Sequence, residues 1–159
     1  MQVIDASSAL YAWDNYPESQ FPGFWKWLSE EINQEKIVIP NVALTEVKNK
    51  YEECANWLRN NGIKIIKNSN LILQEAKRIK GLLNINDENY HPNGVDENDL
   101  IIIATAKILR YRLISDEKQP TAPNVIRKRK IPKVCIMDTV NIDCICFVDF
   151  FKESGVVFR

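Results

Sequence analysis

Short apolar, β-branched runs punctuate the chain, and longer stretches between them repeat apolar residues at helical spacing. Gln2 to Ile4 reads as a short buried strand ending at Asp5. Ile37 to Ile39, closed by Pro40, reads as another, and Arg112 to Ser115 as a third. Ile63 to Ile66 fits an edge strand or an extended linker. Ser7 to Trp13 opens like a helix, with Ser7 or Ser8 as its cap. Pro22 to Ile32 follows as a second helix, with Phe24, Trp27, Leu28 and Ile32 on its buried face. One long helix is expected from about Val42 to Leu58, where Val47, Tyr51, Cys54, Ala55 and Leu58 form an apolar stripe and Asn60-Asn61-Gly62 stops it. Leu71 to Leu83 is a further helix. Asp96 to Leu109 is the most hydrophobic one, with Ile101, Ile102, Ala104, Ile108 and Leu109 facing inward.

The remaining stretches are less regular. Asn84 to Gly94 is polar and turn-rich, and Gln119 to Asn124 is a loop with two prolines. Ile131 to Ile142 fits a short helix begun by Pro132 or a strand through Val134-Cys-Ile. Phe147 to Glu153 is helical, is ended by Gly155, and leaves Val156 to Phe158 as a candidate last strand. No repeat or linker interrupts this order. Strands alternating with helices predict an α/β fold: three α/β/α layers around a mainly parallel sheet in one domain over residues 1–159.

Composition narrows the picture. The chain has 159 residues, 45% of them hydrophobic, enough for a core without staples. Lys+Arg and Asp+Glu are both 21, a net charge of zero. That argues against gripping long duplex DNA through a basic surface, but leaves room for a short RNA on a local patch. The first residues enter a strand pattern with no secretory leader, and Leu100 to Ala106 is too short to span a bilayer. A soluble, cytoplasmic protein is expected. Cys54, Cys135, Cys144 and Cys146 read as reduced, half-buried thiols; a zinc site on Cys144-x-Cys146 with Cys135 is the alternative. His91 is the only histidine, which disfavours a histidine-activated nucleophile or a multi-histidine metal site.

The acids then become the candidate chemistry. In open parallel sheets, ligands bind beyond the carboxyl ends of the strands. Asp5 follows the first strand, and Asp116 and Glu117 follow the strand at 112–115. Asp99 lies in the first turn of the helix before that strand, and Glu46 in the first turns of the helix after Ile39. Two carboxylates about 4 Å apart repel by roughly 4 kcal/mol at an effective dielectric near 20. They must protonate or bind a cation, and an all-oxygen donor set favours Mg²⁺ or Mn²⁺. Singly, each acid has a plainer reading. Asp5 serves as a turn or cap residue, Glu46 pairs with Lys50, Asp96 and Asp99 cap a helix, and Asp116 and Glu117 sit in a turn. Only the joint pattern is informative.

That joint pattern resembles the PIN domain family. Val3-Ile4-Asp5-Ala6-Ser7 resembles its opening motif, and Pro40-Asn41-Val42 through Glu46 its second. Asp99-Leu-Ile-Ile-Ile-Ala-Thr-Ala106 is similar to the third motif, and Arg112-Leu-Ile-Ser-Asp-Glu117 to the strand that ends in Thr/Ser and an acid. Phe21-Pro-Gly-Phe-Trp25 and Lys130-Ile-Pro-Lys-Val-Cys135 resemble a bacterial and archaeal PIN subfamily. The resemblance spans nearly the whole chain. It implies a VapC-type toxin: a Mg²⁺- or Mn²⁺-dependent ribonuclease held inactive by a cognate antitoxin, often as a homodimer. The implied metal-binding and catalytic acids are Asp5, Glu46, Asp99, Asp116 and Glu117. The family's usual spacing selects Glu117 over Asp116, and both are retained. Ser7 would orient Asp5 or a metal-bound water, with Asp96 and Ser115 as supporting residues.

Arg127, Lys128, Arg129 and Lys130, with Lys133, form the densest basic run and are candidates for holding RNA phosphates. A solvated basic loop is the plainer alternative. The aromatic-rich N-terminal third (Trp13, Tyr16, Phe21, Phe24, Trp25 and Trp27) fits core packing or an antitoxin groove better than base stacking. Two other functions compete with the nuclease. One is a non-catalytic PIN module that binds RNA or a protein. The other is aspartyl phosphotransfer, which wants Asp-x-Asp after the first strand where this chain has Ser7.

Overall fold

The computed structural model of the chain describes residues 1–119 and 125–159. Most of the loop expected over 119–124 lies outside the described residues. The strands β1 (Gln2–Ile4), β2 (Ile37–Pro40), β3 (Lys64–Ile66), β4 (Arg112–Ile114) and β5 (Cys144–Ile145) form one all-parallel sheet, ordered β3-β2-β1-β4-β5. Val3 pairs with Val38 on one side and Leu113 on the other, so β1 is the central strand. Both faces are covered, and Val3, Val38, Ile39, Leu113 and Ile114 are all buried. This is why the strands read as unbroken apolar runs instead of alternating ones. At the edge, β3 exposes Lys64 and Ile65.

The helices are α1 (Ala6–Asn15), α2 (Pro22–Asn33), α3 (Asn41–Lys50), α4 (Glu52–Asn60), α5 (Asn70–Leu82), α6 (Glu97–Leu109), α7 (Ile131–Cys135) and α8 (Phe147–Ser154). A 3₁₀ turn spans Ile126–Lys128. The result is a three-layer α/β/α fold. One outer layer holds α1, α2, α4 and α8; the other holds α5, α6 and α7, while α3 touches both α1 and α6. Aromatic rings fill the first layer. Phe24 stacks on Tyr16 at 4.6 Å and meets Phe147 at 5.9 Å, and Trp25 meets Trp57 at 4.6 Å. The Trp25 ring N–H donates to the Tyr16 carbonyl. Phe24, Trp25 and Trp27 are therefore core residues, and truncating Phe24 to Ala would cost about 3–5 kcal/mol. No helix among the described residues is long and apolar enough to cross a membrane.

Several expectations need correction. The single helix over 42–58 is two. Tyr51 between them is extended (φ −140°, ψ 100°) and exposed, not part of a buried stripe. Lys48 and Lys50 sit in the last turn of α3, while Glu52 and Glu53 sit in the first turn of α4. Each set of charges suits the helix end it occupies, which favours a break at Tyr51. Neither Ser7 nor Ser8 caps α1, because the helix starts one residue earlier, with Asp5 in the cap position. The ambiguous stretch 131–142 contains α7 and then turns, not a strand; Pro132 in its first turn suits the helix. The last strand of the sheet is Cys144–Ile145 instead. Residues 156–158 form no strand, and Phe158 stacks on Phe151. Ile108, expected inward, is 37% exposed because the buried stretch of α6 ends near Ala106.

Candidate active site

All five strands point the same way, so β1, β2 and β4 deliver their following residues to one edge. Asp5 is the first residue past β1, and its N–H donates to the Ile114 carbonyl across the sheet (2.9 Å). Its carboxylate is deeply buried, the residue being 3% exposed. Oδ2 accepts from the hydroxyls of Ser7 (2.5 Å) and Ser115 (2.9 Å). Burial pushes the Asp5 carboxyl above its usual range; the two serines and the N–H groups of Ala6 and Ser7 act against that rise.

Asp99 and Asp96 form a reciprocal cap at the start of α6. Asp96 Oδ1 accepts from the Asp99 N–H, and Asp99 Oδ2 from the Asp96 N–H, both at 2.9 Å. Burial pushes the Asp99 carboxyl up to about 9, with the charges of Glu117, Asp96 and Asp5 adding to it. Glu46 projects from α3, half-buried, and accepts from the Asn98 amide at 3.1 Å. It too is raised, by burial first and then by Asp5 and Asp96. Asn98 is a site residue that the sequence reading missed. It meets Glu46 across two helices, and no local spacing signals that contact.

The two acids after β4 part company. The Ser115 hydroxyl lies between Asp5, to which it donates, and the Glu117 N–H, from which it accepts, while the Asp116 side chain is bound elsewhere. Glu117 lies among the other acids: burial raises its carboxyl, Asp5 and Asp96 add, and the Ile131 N–H and the Lys130 charge oppose. Its Oε2 accepts from the Ile131 N–H (3.1 Å), at the start of α7. Asp116 turns toward α1 and α8. Its Oδ2 accepts from the Ser8 hydroxyl (2.5 Å) and the Phe147 N–H (3.1 Å), and its own N–H donates to Ser7 Oγ (2.9 Å). The structure thus gathers Asp5, Glu46, Asp96, Asp99 and Glu117 into one electrostatic cluster, with Ser7 and Ser115 around Asp5. It makes Asp116 a tie between layers.

A family model described as a domain of unknown function, DUF4411, matches residues 2–158. The chain belongs to that family. None of the curated proteins matches it. The DUF4411 match takes in every acid of the cluster and the basic run as well.

The basic run of this DUF4411 domain divides in two. The Arg127 guanidinium donates to the Asn89 carbonyl and the Lys130 ammonium to the Gly94 carbonyl, each at 3.1 Å. These two side chains fasten the loop before α6. Lys128 lies in the 3₁₀ turn. Arg129 and Lys133 line an open cleft of about 580 Å³ beside α7.

The donor chemistry of the acids fits a hard divalent cation, being carboxylates and hydroxyls; the buried Cys135 thiol also feels Asp5 and Glu117 but is hydrogen-bonded to Cys144. Among the described residues, however, no three Asp, Glu, His or Cys side chains converge on a metal-sized point as they stand. Asp99, Glu117 and Glu46 are each turned onto a protein donor. A cation drawing on them would take them off those donors. The zinc alternative gains no support either, the four cysteines being free and forming no such group.

Proposed function

We propose that this protein is a Mg²⁺- or Mn²⁺-dependent endoribonuclease of the PIN type, acting as the toxin of a toxin–antitoxin pair. The observation that carries the reading is the crowding of Asp5, Glu46, Asp99 and Glu117 at the carboxyl edge of a parallel sheet, with burial raising every one of them and the neighbouring acids raising Glu46, Asp99 and Glu117 further. Stability alone gives no reason to bury several like charges together. A function that needs concentrated negative charge does.

Asp5, Asp99 and Glu117 are the residues that would hold the cation. When bound, it would supply Lewis-acid stabilisation of a phosphodiester and a more acidic water. Ser7 and Ser115 fix the orientation of the Asp5 carboxylate. Glu46, half-buried and held by Asn98, is suited to accept a proton from the attacking water, since its raised pKa brings it nearer neutrality. A protein antitoxin and a second copy of the chain belong to the same reading as partners.

The test is cleavage of an unstructured RNA by the purified chain, with Mn²⁺ or Mg²⁺ and with chelator. Asp5→Asn and Asp99→Asn should abolish the metal-dependent activity. Full activity in either folded variant would sink the assignment. The second reading, a non-catalytic module that binds RNA or protein, draws on the acids being turned onto protein donors. RNA binding without cleavage across both metals would favour it.

A further inference from the structure

Beside α7 lies a cleft whose lining mixes two cations with an apolar surface. Arg129 precedes the helix, Lys133 projects from it, and Ile136 and Met137 follow it. Ile136 is 66% exposed, an unusual exposure for an isoleucine directly after a helix that buries Ile131, Val134 and Cys135. Neither Arg129 nor Lys133 makes an ion pair with a described acid. Asp138 also lines the cleft, so the local balance is two cations to one anion.

The cleft is coupled to the acids through α7. The first N–H of that helix donates to Glu117, and the neighbouring Lys130 charge acts on the same carboxylate. Five residues at roughly 1.5 Å each make α7 about 7.5 Å long. The cleft therefore opens one short helix away from the acid cluster.

We propose that this cleft is a subsite for a single-stranded RNA segment flanking the scissile bond. Arg129 and Lys133 hold a phosphate, and Ile136 and Met137 receive the face of a base. The alternating charge and apolar area match a nucleotide's own division into phosphate and base. The assignment rests on the nuclease reading for its substrate class. It also separates the working cations of the basic run from Arg127 and Lys130, which fasten a loop.

The test measures binding apart from cleavage. The full chain carrying Asp5→Asn, in chelator, is titrated against a fluorescein-labelled single-stranded oligouridylate, and anisotropy is read over a range of salt. Arg129→Gln and Lys133→Gln should each weaken binding about 5- to 10-fold. Because the pair holds one phosphate, the double variant should lower the slope of log affinity against log salt by roughly 0.7, the value per phosphate on a single strand. Ile136→Ser should weaken binding while leaving that slope unchanged, and Lys26→Gln on α2 should change neither. Wild-type affinity and slope in the Arg129 and Lys133 variants would overturn the subsite, as would an equal loss in Lys26→Gln. Displacement of the RNA by polyglutamate at matched charge, or equal affinity for a short duplex, would overturn it too. If wild-type protein cleaves RNA while the cleft variants bind normally, the subsite fails and the nuclease stands. If the cleft binds RNA that wild-type protein never cleaves, the nuclease fails, and with it the scissile bond, while RNA binding by the cleft stands.

Discussion

Ser8, in the first turn of α1, donates its hydroxyl to Asp116 Oδ2 at 2.5 Å, across 108 residues of sequence. The same carboxylate accepts from the Phe147 N–H at the start of α8. Asp116 thus joins β4, α1 and α8, while its neighbour Glu117 joins the acid cluster. The two residues should respond to substitution in opposite ways. Asp116→Ala strands the buried Ser8 hydroxyl and the Phe147 N–H, and should lower unfolding free energy by about 2 kcal/mol in denaturant titration. Metal-dependent cleavage per folded molecule should survive. Glu117→Gln should keep the fold and lose at least 100-fold in cleavage rate. A reversal of these phenotypes would return the fourth acid to Asp116.

Stability should fall as pH rises in the absence of divalent cations. The carboxyls of Asp5, Glu46, Asp99 and Glu117 are all raised in the folded chain, so it binds more protons than the unfolded one. Their stabilising contribution is complete below the ordinary value of 3.8 for Asp99 and is lost as pH climbs through its folded value of about 9. Thermal melts in chelator from pH 5 to 9 should show a descending midpoint. Asp99→Asn should flatten that descent and raise the midpoint at pH 8. A midpoint that climbs over this range would contradict the crowding of the acids.

Divalent cation should reverse the trend. A ligand that binds only the folded state stabilises it by mass action, and here it would also neutralise the repelling charges. At pH 8, millimolar Mn²⁺ should raise the melting midpoint of the wild-type chain by several degrees and that of Asp5→Asn by much less. Equal shifts in both would place the cation elsewhere.

Asp96 separates capping from charge. Asp96→Asn keeps an acceptor for the Asp99 N–H and removes a charge that raises Asp99. Its pH–rate profile should move toward lower pH with little change in stability. Asp96→Ala also loses the cap, at about 1 kcal/mol. Identical profiles for Asp96→Asn and wild type would remove Asp96 from the cluster.

Gly94 is required by a close approach. A Cβ there would lie 1.8 Å from the Arg127 carbonyl oxygen. The neighbouring Val95 N–H donates to the Arg129 carbonyl (3.0 Å), so the loop before α6 is laid directly on the basic segment. Gly94→Ala should destabilise by about 1–3 kcal/mol and loosen that segment, which hydrogen exchange at Val95 and Lys130 would register.

Much of this arrangement was legible in the chain because the signals were local. Buried parallel strands need uninterrupted apolar runs, and α6 announces itself by its hydrophobicity and its acidic first turn. Asp5 and Asp99 could be placed because one follows a strand and the other opens a helix. The break at Tyr51 was hidden, since the apolar stripe runs straight through it. β5 is two residues long and carries no periodicity. The Asn98–Glu46 bond joins positions 52 apart, a tertiary fact with no local trace. The division between Asp116 and Glu117 is likewise tertiary: one is bound by Ser8 and Phe147, the other by Ile131, and none of these partners is close in sequence.

The pairing of Val3 with Leu113 sets an order of events during synthesis. Asp5 leaves the ribosome well ahead of its partners, and the strand it follows has no neighbour on that side until more than a hundred further residues have emerged. Glu117 comes later still, and its anchor at Ile131 after that. A nascent or truncated chain thus carries Asp5 without Asp99 and Glu117 beside it. If the charge cluster is the working part of a ribonuclease, a chain not yet made as far as Ile131 cannot attack the RNA around it. Contact order, usually a matter of folding speed, here sets how late the acid cluster can assemble.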